Sequence, residues 1–241
     1  MTRGILIAGN ESSLFTAAAG EAAKRVQSFA CALIPNRFAA GNSAVPQPEG
    51  KNPESGAISL SWNPASAISA RTLVLAAENR LKKIDDAVLI CMPPAVYKTA
   101  YSLTPREIEI LVDDHIKGWF FLIRELVLYF RNAGGGVLAL VAPEISAAGD
   151  KKSKNTPNTG GQLDLLGPPA AASFQSYCRS IVASSANEPY KAMGFSGAGA
   201  GQEEEFAAWL FKIVDEAAPK NAGFWHSYKK RGFLGFLADS G

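Results

Sequence analysis

A chain of 241 residues, 47 % hydrophobic and 19 % charged, can bury a core without disulfide or metal staples, which excludes wholesale disorder and a stapled mini-domain. The formal net charge is only +2 and acids and bases are interspersed, so neither nucleic acid nor a membrane surface is an expected partner. The nearest basic run, Lys151, Lys152 and Lys154, reads as a solvated loop, and Cys31, Cys91 and Cys178 read as buried free thiols of a reducing compartment.

The apolar stretch Gly4 to Gly9 is too short for a signal-peptide core, so a cytoplasmic protein is expected. Gly4 to Ala8 reads as a buried strand, Ser13 to Val26 as an Ala-rich helix, and Phe29 to Ile34 as a second strand ended by Pro35. Residues 36–56, rich in Gly, Pro, Asn and Ser, form a loop. Ala57 to Trp62 is a short β-like run closed by Asn63-Pro64, and a helix follows to about Lys82. Ala87 to Met92 is the next apolar run, stopped by Pro93-Pro94. Thr104 as N-cap, Pro105 at the first position and Glu107 in the first turn open the longest helix, which runs to Asn132 and stops at Gly134 to Gly136. Its most apolar part, Trp119 to Phe130, contains Arg124 and Glu125 and reads as buried rather than membrane-spanning. Val137 to Val141 is a fifth strand, residues 143–168 a polar Gly/Pro-rich loop, 169–184 a helix, 190–195 a strand and Gln202 to Ala217 the last helix. An aromatic stretch from Phe224 to Tyr228 follows.

Continuously apolar strands separated by helices predict an α/β fold: a Rossmann-like, doubly wound parallel sheet of about seven strands, covered on both faces. No break in composition divides residues 1–241, which read as one domain.

Three stretches carry a resemblance to a known family. Residues 61–93 hold a turn containing Asp85 and Asp86 before a strand. Residues 113–142 run through Lys117-Gly118, aromatics, Arg124 and a triple-Gly stop into a strand. Residues 172–195 pair a helix with a further strand. In this order and spacing they resemble the short-chain dehydrogenases/reductases over nearly the whole length. The resemblance implies a nucleotide-binding Rossmann domain, and a four-helix oligomer contact through the helices near 105–131 and 169–186.

The family's functional positions depart from its pattern almost everywhere. The Thr-Gly-x-x-x-Gly-x-Gly turn falls on Ala8 to Phe15: Gly9 is kept, but Ser13 and Phe15 stand for the later glycines. A large ring at Phe15 and the charge of Glu11 oppose a pyrophosphate at this helix start. The Asp that meets adenine falls on Ser61, and the Asn-Asn-Ala-Gly turn reads Ile90, Cys91, Met92, Pro93. Of the catalytic set, the Asn position falls on His115 and the Ser position on Ala142, or on Val141 if the register slips by one. The Tyr and Lys positions fall on Gly167 and Ala171. No tyrosine of the chain has a lysine four residues later, so the proton donor for carbonyl reduction is missing.

These departures lead to the expectation of a non-catalytic protein of this fold, with no bound cofactor, acting as a binding, scaffold or regulatory subunit. It would be a homo-oligomer or pair with an active paralogue. The alternative is an NAD(P)H-dependent oxidoreductase of the 3-oxoacyl-carrier-protein or sugar-alcohol reductase kind with a rearranged site. It would use Tyr97, Tyr101, His115 or Tyr177 as acid and Arg37 to hold a 2′-phosphate. A third reading is a small-molecule binder with residues 143–168 as a lid over an apolar mouth at Ile90 to Pro93. His115 reads as a packed helix histidine with one hydrogen bond, and His226 as packing in the tail. Two histidines without repeated spacing argue against a zinc site. The run Gly194 to Gly201 could cradle phosphate, but lacks a following Lys-Ser or Lys-Thr, and Gly197 reads as a structural turn. Trp119, Phe120, Tyr129 and Phe130 read as core or oligomer contact.

Overall fold

The computed structural model describes residues 3–26, 28–34, 37–38, 50–52, 56–143, 163–197, 201–216 and 223–228. Along the first half of the chain run β1 (Ile5–Asn10), α1 (Ser13–Ala23), β2 (Phe29–Ile34), β3 (Gly50–Asn52), β4 (Ala57–Leu60), α2 (Ala67–Leu81), β5 (Asp86–Ile90) and β6 (Tyr97–Lys98). The second half holds α3 (Pro105–Val112), α4 (Gly118–Ala133), β7 (Val137–Val141), β8 (Leu163–Asp164), α5 (Gly167–Ser184), β9 (Lys191–Ser196), α6 (Glu203–Glu216) and β10 (Trp225–Ser227).

Eight strands form one sheet in the order β10-β9-β7-β5-β1-β2-β4-β3. All neighbours are parallel except the edge pair β3–β4. The apolar strand runs reflect burial on both faces. Ile5, Ile7, Val88, Ile90, Ala139 and Val141 face a core closed by Phe15, Phe206 and Phe211 of α1 and α6. The alternate residues, among them Leu6, Leu89, Leu138 and Leu140, face Leu73, Leu122 and Phe174 of α2, α4 and α5.

Sequence signals fix the helix ends. Thr104 and Glu107 form a reciprocal capping box, with Pro105 inside it. The Ser12 and Ser66 hydroxyls accept the N–H groups of Phe15 and Ser69 at the starts of α1 and α2. At the end of α4, Gly134 adopts φ +72° and Gly136 φ +145°, where a Cβ would lie 2.1 Å from the Phe130 ring. Two of the three glycines are thus required, one by conformation and one by contact.

The amino edge of the sheet is tied by ions. Arg3 pairs with the buried carboxylate of Asp86 and with Asp215 of α6. Asp215 also accepts from Arg25 at 2.9 Å. Burial pushes Asp86 up and Arg3 opposes the rise without cancelling it, so the pair offsets part of the penalty of a carboxylate inside the sheet.

The structure differs from the sequence reading at the edges. The loop read over 36–56 contains β3, a polar edge strand joined to β4 through Gly56 at φ +68°; solvent-facing edges carry no apolar alternation to announce them. The loop read over 143–168 contains β8, which pairs antiparallel with β6, and the first turn of α5. Residues 39–49, 53–55 and 144–162 lie outside the described residues, and so do Lys151, Lys152 and Lys154. The aromatic tail supplies β10, parallel to β9. The helix from Pro105 is not uniform: Asp113–Lys117 form a π-helical turn between α3 and α4.

Candidate functional site

The direction of winding reverses between β1 and β5, and the crevice at the carboxyl ends of these two strands is where sheets of this kind bind ligands. Gly9 lies beside Ile90 in the register of that pair. The turn from β1 into α1 leads into a helix N-terminus, the kind of place where N–H groups can meet a phosphate. A Cβ placed on Gly9 would be 2.8 Å from Phe15 Cδ2 and 3.0 Å from the Ile90 carbonyl oxygen. The Phe15 ring is therefore folded down onto Gly9 and nearly closed off from solvent. Ser13 donates to Glu203 Oε1 at 3.1 Å, which sets a carboxylate beside the first turn of α1. Glu203 is held below the usual carboxylate range, foremost by a hydrogen bond from its own backbone N–H.

Across the crevice, Asn10 acts as a latch. Its Oδ1 accepts the Met92 backbone N–H at 3.1 Å, and its Nδ2 lies 3.3 Å from His115 Nδ1. Because the Met92 group must donate, the amide orientation is fixed and Nδ2 is the donor to the ring. His115 thus carries its proton on Nε2. Burial, reinforced by the Arg37 charge, pushes its pKa down to about 4, so the ring is neutral at physiological pH. Arg37, just beyond β2, grips the fully buried Asp114 with two N–H groups, one from Nε at 2.8 Å. Asp113 stands 4.0 Å from Arg37 and pairs with Lys117 at 2.6 Å. Burial raises Asp114 and Arg37 opposes the rise. Asp114 and His115 both belong to the π turn, whose extra residue lets neighbours in sequence both enter the buried side of the helix. Phe38, next to Arg37, packs with Leu111, Ile116, Leu166 and Ala170 in a satellite core.

Of the positions that match the family's catalytic set, His115 alone bears an ionisable side chain; Ala142, Gly167 and Ala171 bear none. Ala142 is buried and continues β7, its N–H donating to the Phe195 carbonyl at 3.0 Å; Val141 precedes it inside the sheet. At Gly167 a Cβ would lie 2.3 Å from Asp164 Oδ2. Asp164 Oδ1 accepts the N–H groups of Val96, Leu166 and Gly167 at 3.1, 3.2 and 2.9 Å. A tyrosine at residue 167 would displace the cap of α5, and Ala171, one turn on, is buried. Ser61 is exposed beyond β4. Of the tyrosines named as rival acids, Tyr101 is 91 % exposed. Tyr177 stacks on Phe120 at 4.1 Å, and burial pushes its hydroxyl upward. Tyr97 lies on β6 opposite Asp164.

Gly197 has φ +104°, and a Cβ there would lie 2.6 Å from the Tyr228 carbonyl, which makes it a structural turn. Residues 198–200 of the glycine run are outside the described residues. His226 stacks on Phe195, and no metal-ligating cluster occurs among the described residues. Trp119 and Phe130 are core, and Phe120 and Tyr129 pack against it. Cys91 and Cys178 are buried and Cys31 is half-buried, all as free thiols. Sequence reasoning missed Asn10, Asp114, Asp164 and Glu203. Asn10, a lone polar residue ending an apolar strand, carried the most readable signal.

No protein-family model matches the sequence, and no curated protein matches it either. Many solved structures do. A short-chain dehydrogenase from Mycobacterium smegmatis superposes with a TM-score of 0.69 at 12 % identity, over 96 % of this chain and 94 % of that one. An NADH-dependent reductase in complex with NAD gives 0.66 at 15 % identity, over 94 % of each. A short-chain dehydrogenase/reductase from Serratia marcescens gives 0.65 at 12 %, over 94 % and 95 %. At these identities the likeness shows the fold: this chain has the Rossmann-like fold of the short-chain dehydrogenases/reductases.

Proposed function

We propose that this protein uses the fold without its redox chemistry, as a binding, scaffold or regulatory subunit that takes no NAD(P) in the usual manner. The observation that carries the reading is the Phe15 ring packed against Gly9 at the start of α1, where the resembling family has a glycine. Three further features support it. Arg37, the residue able to take a 2′-phosphate, is engaged by Asp114. The Asn10 latch joins the ends of the two strands that flank the crevice. Asp164 fills the space above Gly167. A reductase would have to break these contacts and take its proton from the exposed Tyr101, the stacked Tyr177, Tyr97 on β6 or the neutral His115.

In this reading residues 1–241 form one unit, working in the cytoplasm, where three unpaired thiols remain reduced. No helix among the described residues is long and apolar enough to cross a membrane. The subunit would act through its outer helical face, with itself or with an active paralogue, and α4 lies in the surface the resemblance implies for such assembly.

Titration of purified protein with NADH and NADPH, followed by nicotinamide fluorescence and thermal shift, tests the proposal. No response at millimolar nucleotide is expected. Micromolar binding of either would overturn the argument from Phe15 and make hydride transfer the reading to pursue.

A further inference from the structure

Large apolar side chains left in solvent mark surfaces that another molecule covers. On the helical face built by α2, α4 and α5, Ile68 (79 %), Leu75 (47 %) and Leu128 (38 %) are such residues; they lie on α2 and α4, and none on α5. Leu75 and Leu128 line a groove of about 570 Å³ between the two helices, edged by Arg71, Glu78 and Arg124. Residues 68, 71, 75 and 78 follow one another at helical spacing, so they form a single stripe along α2. Arg124 is tied to Glu125, whereas neither Arg71 nor Glu78 has an ion-pair partner among the described residues.

The stripe is self-complementary. The midpoint between Arg71 and Glu78 falls half a residue before Leu75. With a rise of about 1.5 Å per residue, the two charges sit roughly 5 Å on either side of it and Leu75 within about 1 Å. A twofold axis through that midpoint lays α2 antiparallel on α2 of a second copy. Each Arg71 then faces a Glu78, the two Leu75 side chains meet at the axis, and each Leu128 flanks them. A repeat of one patch about a twofold axis is the usual form of a dimer contact.

We propose that the α2–α4 face is an isologous contact between two copies of this chain, with α2 packed against α2. It stands apart from the reading of the crevice, since it holds whether or not a nucleotide binds there.

Charge reversal tests it by sedimentation velocity over micromolar to sub-millimolar protein, with circular dichroism to check folding. The unaltered chain should dimerise. Arg71→Glu and Glu78→Arg should each raise the dissociation constant by at least about tenfold, because like charges would then meet twice. An equimolar mixture of the two variants should dimerise again, since every introduced charge finds its opposite across the axis; that recovery cannot come from a misfolded protein. A chain that stays monomeric overturns the proposal. So does a dimer untouched by either variant, which would place the contact elsewhere, such as α4 with α5. Loss in both variants without recovery on mixing overturns it as well.

Discussion

Replacing Arg37 with methionine would leave the Asp114 carboxylate, buried from solvent, without the one strong partner it has among the described residues. Asp114 is fully buried and Arg37 is 28 % exposed at its side chain, so the pair reaches solvent through the arginine. Removing one partner of a buried pair costs about 3–5 kcal/mol, and partial exposure of the arginine reduces this to roughly 2–4 kcal/mol. For a chain of this length that lowers Tm by about 5–15 °C. Burial already holds the folded-state pKa of Asp114 above its ordinary value, and Arg37 is what opposes the rise. Without Arg37 the folded pKa climbs further. The protonated form is then favoured in the folded chain, so the loss is small below the unfolded carboxylate range and grows as pH rises through the folded value. Urea denaturation of both chains at a series of pH values reads this directly. The difference should be largest near neutral pH and shrink toward pH ~4, and Arg37→Met combined with Asp114→Asn should recover much of it. A penalty independent of pH, or no recovery in the double variant, would refute the account of Arg37 as the partner of a buried charge.

His115 gives an opposite pH dependence. Its folded pKa, pushed down to about 4 from an ordinary value of 6.5, means the unfolded chain binds the proton first. Stability is therefore lost as pH falls from about 6.5 to about 4, by up to roughly 3 kcal/mol. His115→Asn should flatten that slope in urea melts. Cys31, whose thiol burial pushes up to about 12, and Cys91 and Cys178, pushed up likewise, should resist a thiol reagent at pH ~8 in the folded chain and all react in urea; rapid native labelling of Cys91 or Cys178 would contradict their burial. Phe15→Ala should destabilise the chain by about 3–5 kcal/mol, because the ring fills a packed space. Ser13→Gly with Phe15→Gly should produce a thermal shift with millimolar NADH that the unaltered chain lacks. No shift would mean that Glu203 and the Asn10 latch, rather than the ring, close the crevice.

The alternation of apolar runs with capped helices was enough to derive the layered parallel sheet. A strand buried on both faces must be apolar throughout, and helix ends need groups such as Thr104, Glu107 and Gly134 to satisfy the backbone. The expected departures from the family's glycines and acid–base set come from the same kind of reading, because they concern which residues stand at which spacing. The short strands β3, β6 and β8 were hidden, since polar edge pairs of two or three residues have no periodicity to detect. What fills the crevice was beyond local reasoning. Asn10 reaches Met92 and His115, Arg37 reaches Asp114, and Ser13 reaches Glu203, over separations of 77 to 190 residues. Such contacts are set by where the crossovers bring the strand ends, and no spacing along the chain encodes them. The sequence determined which residues stand at the family's nucleotide-binding positions; only the tertiary structure decided which distant side chains meet at the ends of β1 and β5.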